Sequence, residues 1–113
     1  MNEIFGSFYL TITVNGNLLG EFVNNFSNRI VTESANRQIN STTFEGAYES
    51  TWNDGDNHLA TLTIAIKPNT DTGIYIVRWE EDNHIIYQGE GFLLHNDTLI
   101  GFYTNQPITD IHG

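Results

Sequence analysis

Glu45 and Glu49 stand four residues apart in a stretch that alternates as a strand, and two carboxylates flanking one bond are the machinery of glycoside hydrolysis. Four residues of strand separate them by about 13 Å at ~3.3 Å per residue, beyond the ~5 to 9.5 Å that either glycosidase geometry uses. The pair therefore reads as a solvated outer face, with Arg78 as a partner across strands. His58 and His84 each follow an Asp-Asn pair, at 56–57 and 82–83, and suggest a metal or pH-sensitive site at one rim. Equivalent positions two strands apart lie ~10 Å from each other, too far to share one zinc, so both read as residues leaving polar turns. The loop Asn53-Asp54-Gly55-Asp56-Asn57 is rich in oxygen donors without the spacing of a calcium loop. Gly89-Glu90-Gly91 starts like a phosphate cradle but lacks its third glycine and carries an acid between the first two. There is no cysteine, which excludes thiol catalysis and Cys-ligated zinc, and no Gly-x-Ser-x-Gly elbow. The expectation is a protein that is not an enzyme and holds neither metal nor cofactor.

What remains is aromatic. Tyr48 and Trp52, and again Tyr75 and Trp79, lie at even spacing and so on one face of their strands, with Tyr87 and Tyr103 nearby. Large aromatics fill a small core well, but the polar tips of Tyr and Trp want partners when buried. A barrel mouth lined by them can hold one small ligand. These six residues are the candidate ligand-binding set, and a small hydrophobic or amphipathic molecule is the expected partner. The alternative is a ligandless module that contacts another protein by an edge strand or its outer face, for which the outward Tyr9 speaks.

Strands must position these residues. From Ser7 to Val14 the period is two, with Phe8, Leu10, Ile12 and Val14 on one face, and Asn15-Gly16 suits a type I′ turn returning Leu18 to Val23 as a hairpin. Residues 24–43 are ambiguous: Phe22, Phe26 and Ile30, then Val31, Ala35 and Ile39, recur every four, which suits short helical turns, and a broken strand fits as well. Alternation returns with Phe44, Gly46, Tyr48 and Trp52 inward, then Leu62, Ile64 and Ile66, closed by Pro68-Asn69-Thr70-Asp71. Tyr75, Val77 and Trp79 follow, and the last strands run from about His84 to Leu94 and from Thr98 to Thr104. Gly46-x-Tyr48-x-x-x-Trp52 recurs as Gly73-x-Tyr75-x-x-x-Trp79 at an offset of 27 residues, about one hairpin with its connection. Seven or eight strands with one apolar face must curl or split to hide it. An up-and-down barrel does so, with Gly46, Gly89 and Gly91 as small residues at coiled positions.

A length of 113 residues is sufficient for one domain with a real core, here taken as residues 1–113. Fourteen acidic against four basic residues give a formal charge of −10, a field that repels phosphate backbones and anionic lipid. Nucleic acid and membrane are not expected as partners. No apolar run approaches the ~18 residues of a membrane span, and with no basic n-region at the start a cytoplasmic location is the expectation. Three Asn-x-Ser/Thr sequons, at Asn25, Asn40 and Asn96, are of the number that this Asn, Ser and Thr content produces by chance.

At Gly46-x-Tyr48-x-x-x-Trp52, Gly89-x-Gly91 and Leu99-Ile100-Gly101-Phe102-Tyr103 the chain resembles small bacterial β-barrel domains of calycin type, the class of lipocalins and avidins. The resemblance covers roughly residues 44–104. It implies a closed barrel of about eight antiparallel strands and leaves the ligand unspecified. Tyr48 stands where lipocalins carry the Trp of their Gly-x-Trp, the basic residue they set against that Trp has no counterpart in the sequence pattern, and no avidin biotin signature matches. Leu62-Thr63-Ile64 with Asp71-Thr72-Gly73-Ile74-Tyr75 also resembles the tyrosine corner of an immunoglobulin-like sandwich. The missing cysteine pair and the strands that follow Tyr75 weigh against that.

Overall fold

The computed structural model describes residues 3–39, 41–69 and 73–107, and none of them is helical. Eight strands follow in chain order: β1 (Phe5–Ile12), β2 (Leu18–Asn24), β3 (Val31–Arg37), β4 (Gly46–Asn53), β5 (Asn57–Ile66), β6 (Ile74–Glu81), β7 (His84–Leu94) and β8 (Thr98–Thr104). Each pairs antiparallel with the next, and β1 pairs with β8 from Phe5↔Thr104 to Thr11↔Thr98, so the meander closes into a barrel. Closure leaves no free edge strand, which removes edge pairing as a mode of contact. The immunoglobulin-like alternative falls with it.

Period-two alternation produces the core directly. Phe8, Leu10, Leu18, Tyr48, Trp52, Leu62, Ile64, Val77, Trp79, Leu99 and Tyr103 all point inward and are buried. With eight strands the interior is just wide enough for side chains to fill it. Gly89 shows how tightly β7 and β8 coil together, because a Cβ there would sit 1.8 Å from the Phe102 carbonyl oxygen.

The ambiguity over residues 24–43 resolves toward a strand: Val31 to Arg37 is β3, Phe26, Ile30 and Ile39 are exposed, and none of the described residues of this stretch is helical. The structure departs from expectation in two places. The first hairpin is not a two-residue type I′ turn. Gly16 N–H donates to Thr13 O at 2.9 Å, Thr13 N–H donates to Asn17 O at 2.8 Å, and only Gly16 of the Asn-Gly pair has positive φ, at 85°. That is the three-residue loop ending in a left-handed glycine, and it carries Val14 out of the strand to 98% exposure. Ile66 and Gly46 lie at strand ends and are likewise exposed rather than inward. Of the Pro68 to Asp71 turn, Thr70 and Asp71 lie outside the described residues, as does Asn40.

The connections β2–β3, β4–β5 and β6–β7 gather at one end of the barrel, and β1–β2, β3–β4, β5–β6 and β7–β8 at the other. Between Trp79 and Glu80 the β6–β7 register slips. The bulge brings adjacent residues Ile86 and Tyr87 both against the core, as bulges near barrel rims do.

Candidate functional site: a buried carboxyl among aromatic rings

The inward face of β3 reads Val31, Glu33, Ala35, Arg37, so this short strand delivers one acid and one base into the barrel. Pairing sets Glu33 opposite Trp52 and Arg37 opposite Tyr48 on β4. The two charges sit toward opposite ends and meet different surroundings.

Arg37 lies toward the β3–β4 end. Its guanidinium carbon is 4.5 Å from the centre of the Tyr48 ring, a cation–π distance. Its Nε–H donates to Gly16 O at 3.0 Å, one terminal N–H to Glu45 O at 2.9 Å, and the others to Thr43 O and the Tyr48 hydroxyl. The Tyr48 hydroxyl in turn donates to Phe44 O at 2.6 Å. Burial raises the Tyr48 phenol above its ordinary pKa, opposed by the adjacent guanidinium. Phe44, buried, packs against half-buried Tyr75 with ring centres 6.5 Å apart. This end is plugged.

Glu33 is 2% exposed. Its Oε2 accepts from Ser50 Oγ at 2.5 Å and from Trp79 Nε1 at 2.6 Å. Among the described residues nothing donates to Oε1. None of them carries a fully enclosed side-chain nitrogen or oxygen without a partner, so Oε1 is not fully enclosed, and Glu33 lines a cavity. That cavity, about 20 Å³, is walled by Phe8, Phe22, Trp52, Trp79, Tyr87 and Tyr103 besides Glu33. It has room for about one water-sized group. Burial pushes the Glu33 carboxyl above the usual carboxylate range, against the lowering effect of its two hydrogen bonds.

The rings around Glu33 brace one another edge to face: Phe22 on Trp52 at 6.1 Å, Phe22 on Tyr103 at 5.9 Å, Tyr87 on Tyr103 at 5.4 Å and Phe8 on Trp79 at 5.6 Å. Such pairs hold ring positions with ~0.5–1.5 kcal/mol each beyond burial. The Tyr103 hydroxyl accepts from Asn24 Nδ2 at 3.0 Å. Burial drives its phenol up to about 12 despite that bond. At the rim His58 stacks on Trp52 at 5.0 Å with 15° between planes, and its Nε2 lies 3.0 Å from Asp54 Oδ1. Outside, a depression of 270 Å³ between Ile4, the 24–31 segment, Asp54 and Tyr87 leads to the same Phe22 and Tyr87. Burial, then the charges of Asp54 and Glu81, raise the Tyr87 phenol.

Of the six aromatics singled out in the sequence, Trp52, Trp79, Tyr87 and Tyr103 line this cavity, while Tyr48 and Tyr75 belong to the plugged end. The repeat does not build one continuous aromatic layer; it places a Trp toward one end and a Tyr toward the other in each copy. Glu33, Phe8 and Phe22 were missed as lining residues. The signal for Glu33 was the period-two run Val31, Glu33, Ala35, Arg37, masked because two of its inward positions are charged; Phe8 and Phe22 fall at inward positions of β1 and β2 and read as ordinary core.

The remaining candidates disperse. Glu45 and Glu49 are exposed, and β5 lies between β4 and the Arg78 of β6, so the pairing expected across strands does not form. Glu90 lies 3.0 Å from Lys67 Nζ. His84 is exposed at the start of β7, and no three of the described His, Asp or Glu residues are placed to share a metal ion. No family model matches the chain, and neither a curated protein nor a solved structure matches it.

Proposed function

We propose that this chain is a small-molecule-binding barrel of calycin type rather than an enzyme, taking its ligand through the end where β2–β3, β4–β5 and β6–β7 meet. The observation that carries this is the cavity at Glu33: an apolar wall of six aromatic rings around one carboxyl oxygen that the protein leaves without a donor. Buried polar groups are paired almost without exception, and an unpaired acceptor facing a void beneath an open depression marks a place where a ligand or water completes the structure. The cavity admits only a small group, so a larger ligand would anchor one end here and lie along the depression outside. The calycin reading is supported by the eight-stranded antiparallel meander closed by β1 on β8. Both tryptophans of the chain line the cavity, so tryptophan emission reports on it. A library of small amphipathic molecules is expected to contain members that shift that emission saturably and raise the melting temperature. Fluorescence and melting both indifferent to every compound would reject the reading.

The outer face supports a second reading. Tyr9, Ile100 and Phe92 pair directly across β1, β8 and β7 and are exposed, with Phe102 and Val23 beside them. A contiguous apolar row of this kind on a soluble surface is a protein-contact feature. Replacing Ile100 and Phe92 by Lys should abolish any self-association or partner capture seen by light scattering, and leave the fluorescence response to small molecules unchanged.

A further inference from the structure

The ligand class can be narrowed, on the reading that the Glu33 cavity is a ligand site. We propose that it takes the head of a small primary alkylammonium cation, whose N–H donates to Glu33 Oε1 among the rings of Trp52, Trp79, Tyr87 and Tyr103.

Three independent features converge on this chemistry. Ionised, the carboxyl presents Oε1 as an acceptor, since Oε2 already takes both hydrogen bonds from Ser50 and Trp79; an ammonium N–H satisfies it and supplies the counter-charge that keeps a buried carboxylate ionised in a dry site. The walls are π faces rather than aliphatic chains. Trp and Tyr rings within ~6 Å attract a desolvated cation, Trp most strongly, and Trp79 and Tyr103 stand with centres 5.8 Å apart on the same side of the barrel. The approach is negative: net charge is −10, and Asp54 and Glu81 lie close enough to the mouth to act on Tyr87. Arg29, on the outer wall of the depression, opposes them, but it stands outside the cavity while Glu33 is within it. A field of that sign concentrates small cations at the opening. An uncharged hydroxyl would satisfy Oε1 and gain nothing from either the rings or the field, and an anion would be repelled by both. With about 20 Å³ to fill, the part that enters is of about the size of one water, so the head group is a primary ammonium on the scale of methylammonium.

The test uses the full chain and the emission of Trp52 and Trp79, with methylammonium chloride, methanol as its uncharged counterpart with the same number of heavy atoms, and sodium chloride at matched ionic strength. Methylammonium should give a saturable change, methanol one at least about tenfold weaker, and sodium chloride none. Glu33→Gln, which keeps the shape and the bonds from Ser50 and Trp79, should weaken methylammonium by about tenfold or more, the scale of a lost charge-assisted hydrogen bond, and leave methanol unchanged. Tyr87→Leu keeps the carboxyl and removes a half-buried ring, so it tests the aromatic wall in a second background; methylammonium should weaken several-fold there. Equal binding of the two probes, or an affinity untouched by both substitutions, overturns the cation and leaves the cavity standing as a site for neutral molecules. Absence of a saturable response to either probe in the wild type, where the cavity is intact, overturns both.

Discussion

The two ends of the barrel interior are built from the same materials and finished differently. Each has one charged residue from β3, one large aromatic directly opposite on β4, and another aromatic from β6: Arg37, Tyr48 and Tyr75 at one end, Glu33, Trp52 and Trp79 at the other. Arg37 spends its donors on three backbone carbonyls and the Tyr48 hydroxyl, and buried Phe44 packs against Tyr75 beside them. Glu33 has two donors on one oxygen, none on the other, and a void in front of it. A charge whose hydrogen-bonding capacity is used up by its own chain is a fastening; one left half used beside a cavity is an invitation to a ligand. The contrast predicts that the plugged end carries the stability of the fold and the open end its chemistry.

The most direct way to break that contrast is to truncate the plug. Tyr48 is 1% exposed and joins the guanidinium, the Phe44 carbonyl and the core, so Tyr48→Ala should cost about 3–5 kcal/mol, the range for deleting a buried aromatic. Urea unfolding by far-ultraviolet circular dichroism measures it, and a loss below ~1 kcal/mol would mean that this end is not the fastening. Arg37→Met keeps the stem and removes the donors. It should cost about 2–3 kcal/mol, because the Gly16, Thr43 and Glu45 carbonyls lose a charged partner. The ligand response of the Trp emission should survive in molecules that remain folded.

Much of this was legible in the sequence, and the residues that were not share a reason. Strand periodicity located β1, β2 and β4 to β8 because their inward positions are mostly apolar, Ser50 of β4 being an exception; His84–Leu94 and Thr98–Thr104 agree with expectation to the residue. β3 was ambiguous because its alternation is carried by Val31 and Ala35 with Glu33 and Arg37 between and beyond them, so the inward face looks half polar. The apolar residues that did recur, Phe26, Ile30 and Ile39, are exposed in connections and gave a false period of four. Local sequence rules fail where function or fastening puts a charge in the core, and here that strand holds the acid of the open end and the base of the closed one. The aromatic set was found because Tyr and Trp fall on strong strands. Its division between two ends was hidden, since strand spacing gives the face but not the depth along the barrel.

Glu33→Gln sharpens the comparison through pH. No charged side chain is bonded to Glu33; its contacts are the uncharged donors of Ser50 and Trp79, with Trp52 opposite and the Tyr103 phenol feeling its charge. Burial raises its carboxyl in the folded state above the unfolded value, so the folded chain holds more protons and stability falls as pH rises. The contribution is fully present below the ordinary carboxylate range and lost on rising through the elevated folded value. The substitution, which cannot ionise, should therefore be more stable than the wild type at pH 8, with the gap closing toward pH 4. Other carboxylates titrate in both proteins and cancel in the difference between their urea midpoints. A gap independent of pH would show that Glu33 does not change ionisation on folding.

The smallest effect concerns the rim. His58 lies flat on Trp52 and is tied to Asp54 across an exposed turn, where its side chain is 30% exposed. Removing it with His58→Ala should cost about 1 kcal/mol, since the ring stack is worth ~0.5–1.5 kcal/mol and the exposed contact with Asp54 adds little. Its consequence for the site should be larger than its cost in stability. Trp52 loses the ring that covers it from the rim, its emission should shift to the red, and acrylamide should quench it more readily, while Trp79, held by Glu33 from inside, stays protected. The two tryptophans then separate into an outer and an inner reporter of the open end. Quenching that rises equally for both would mean that the cavity wall moves as one body, and that His58 braces the site rather than shielding its edge.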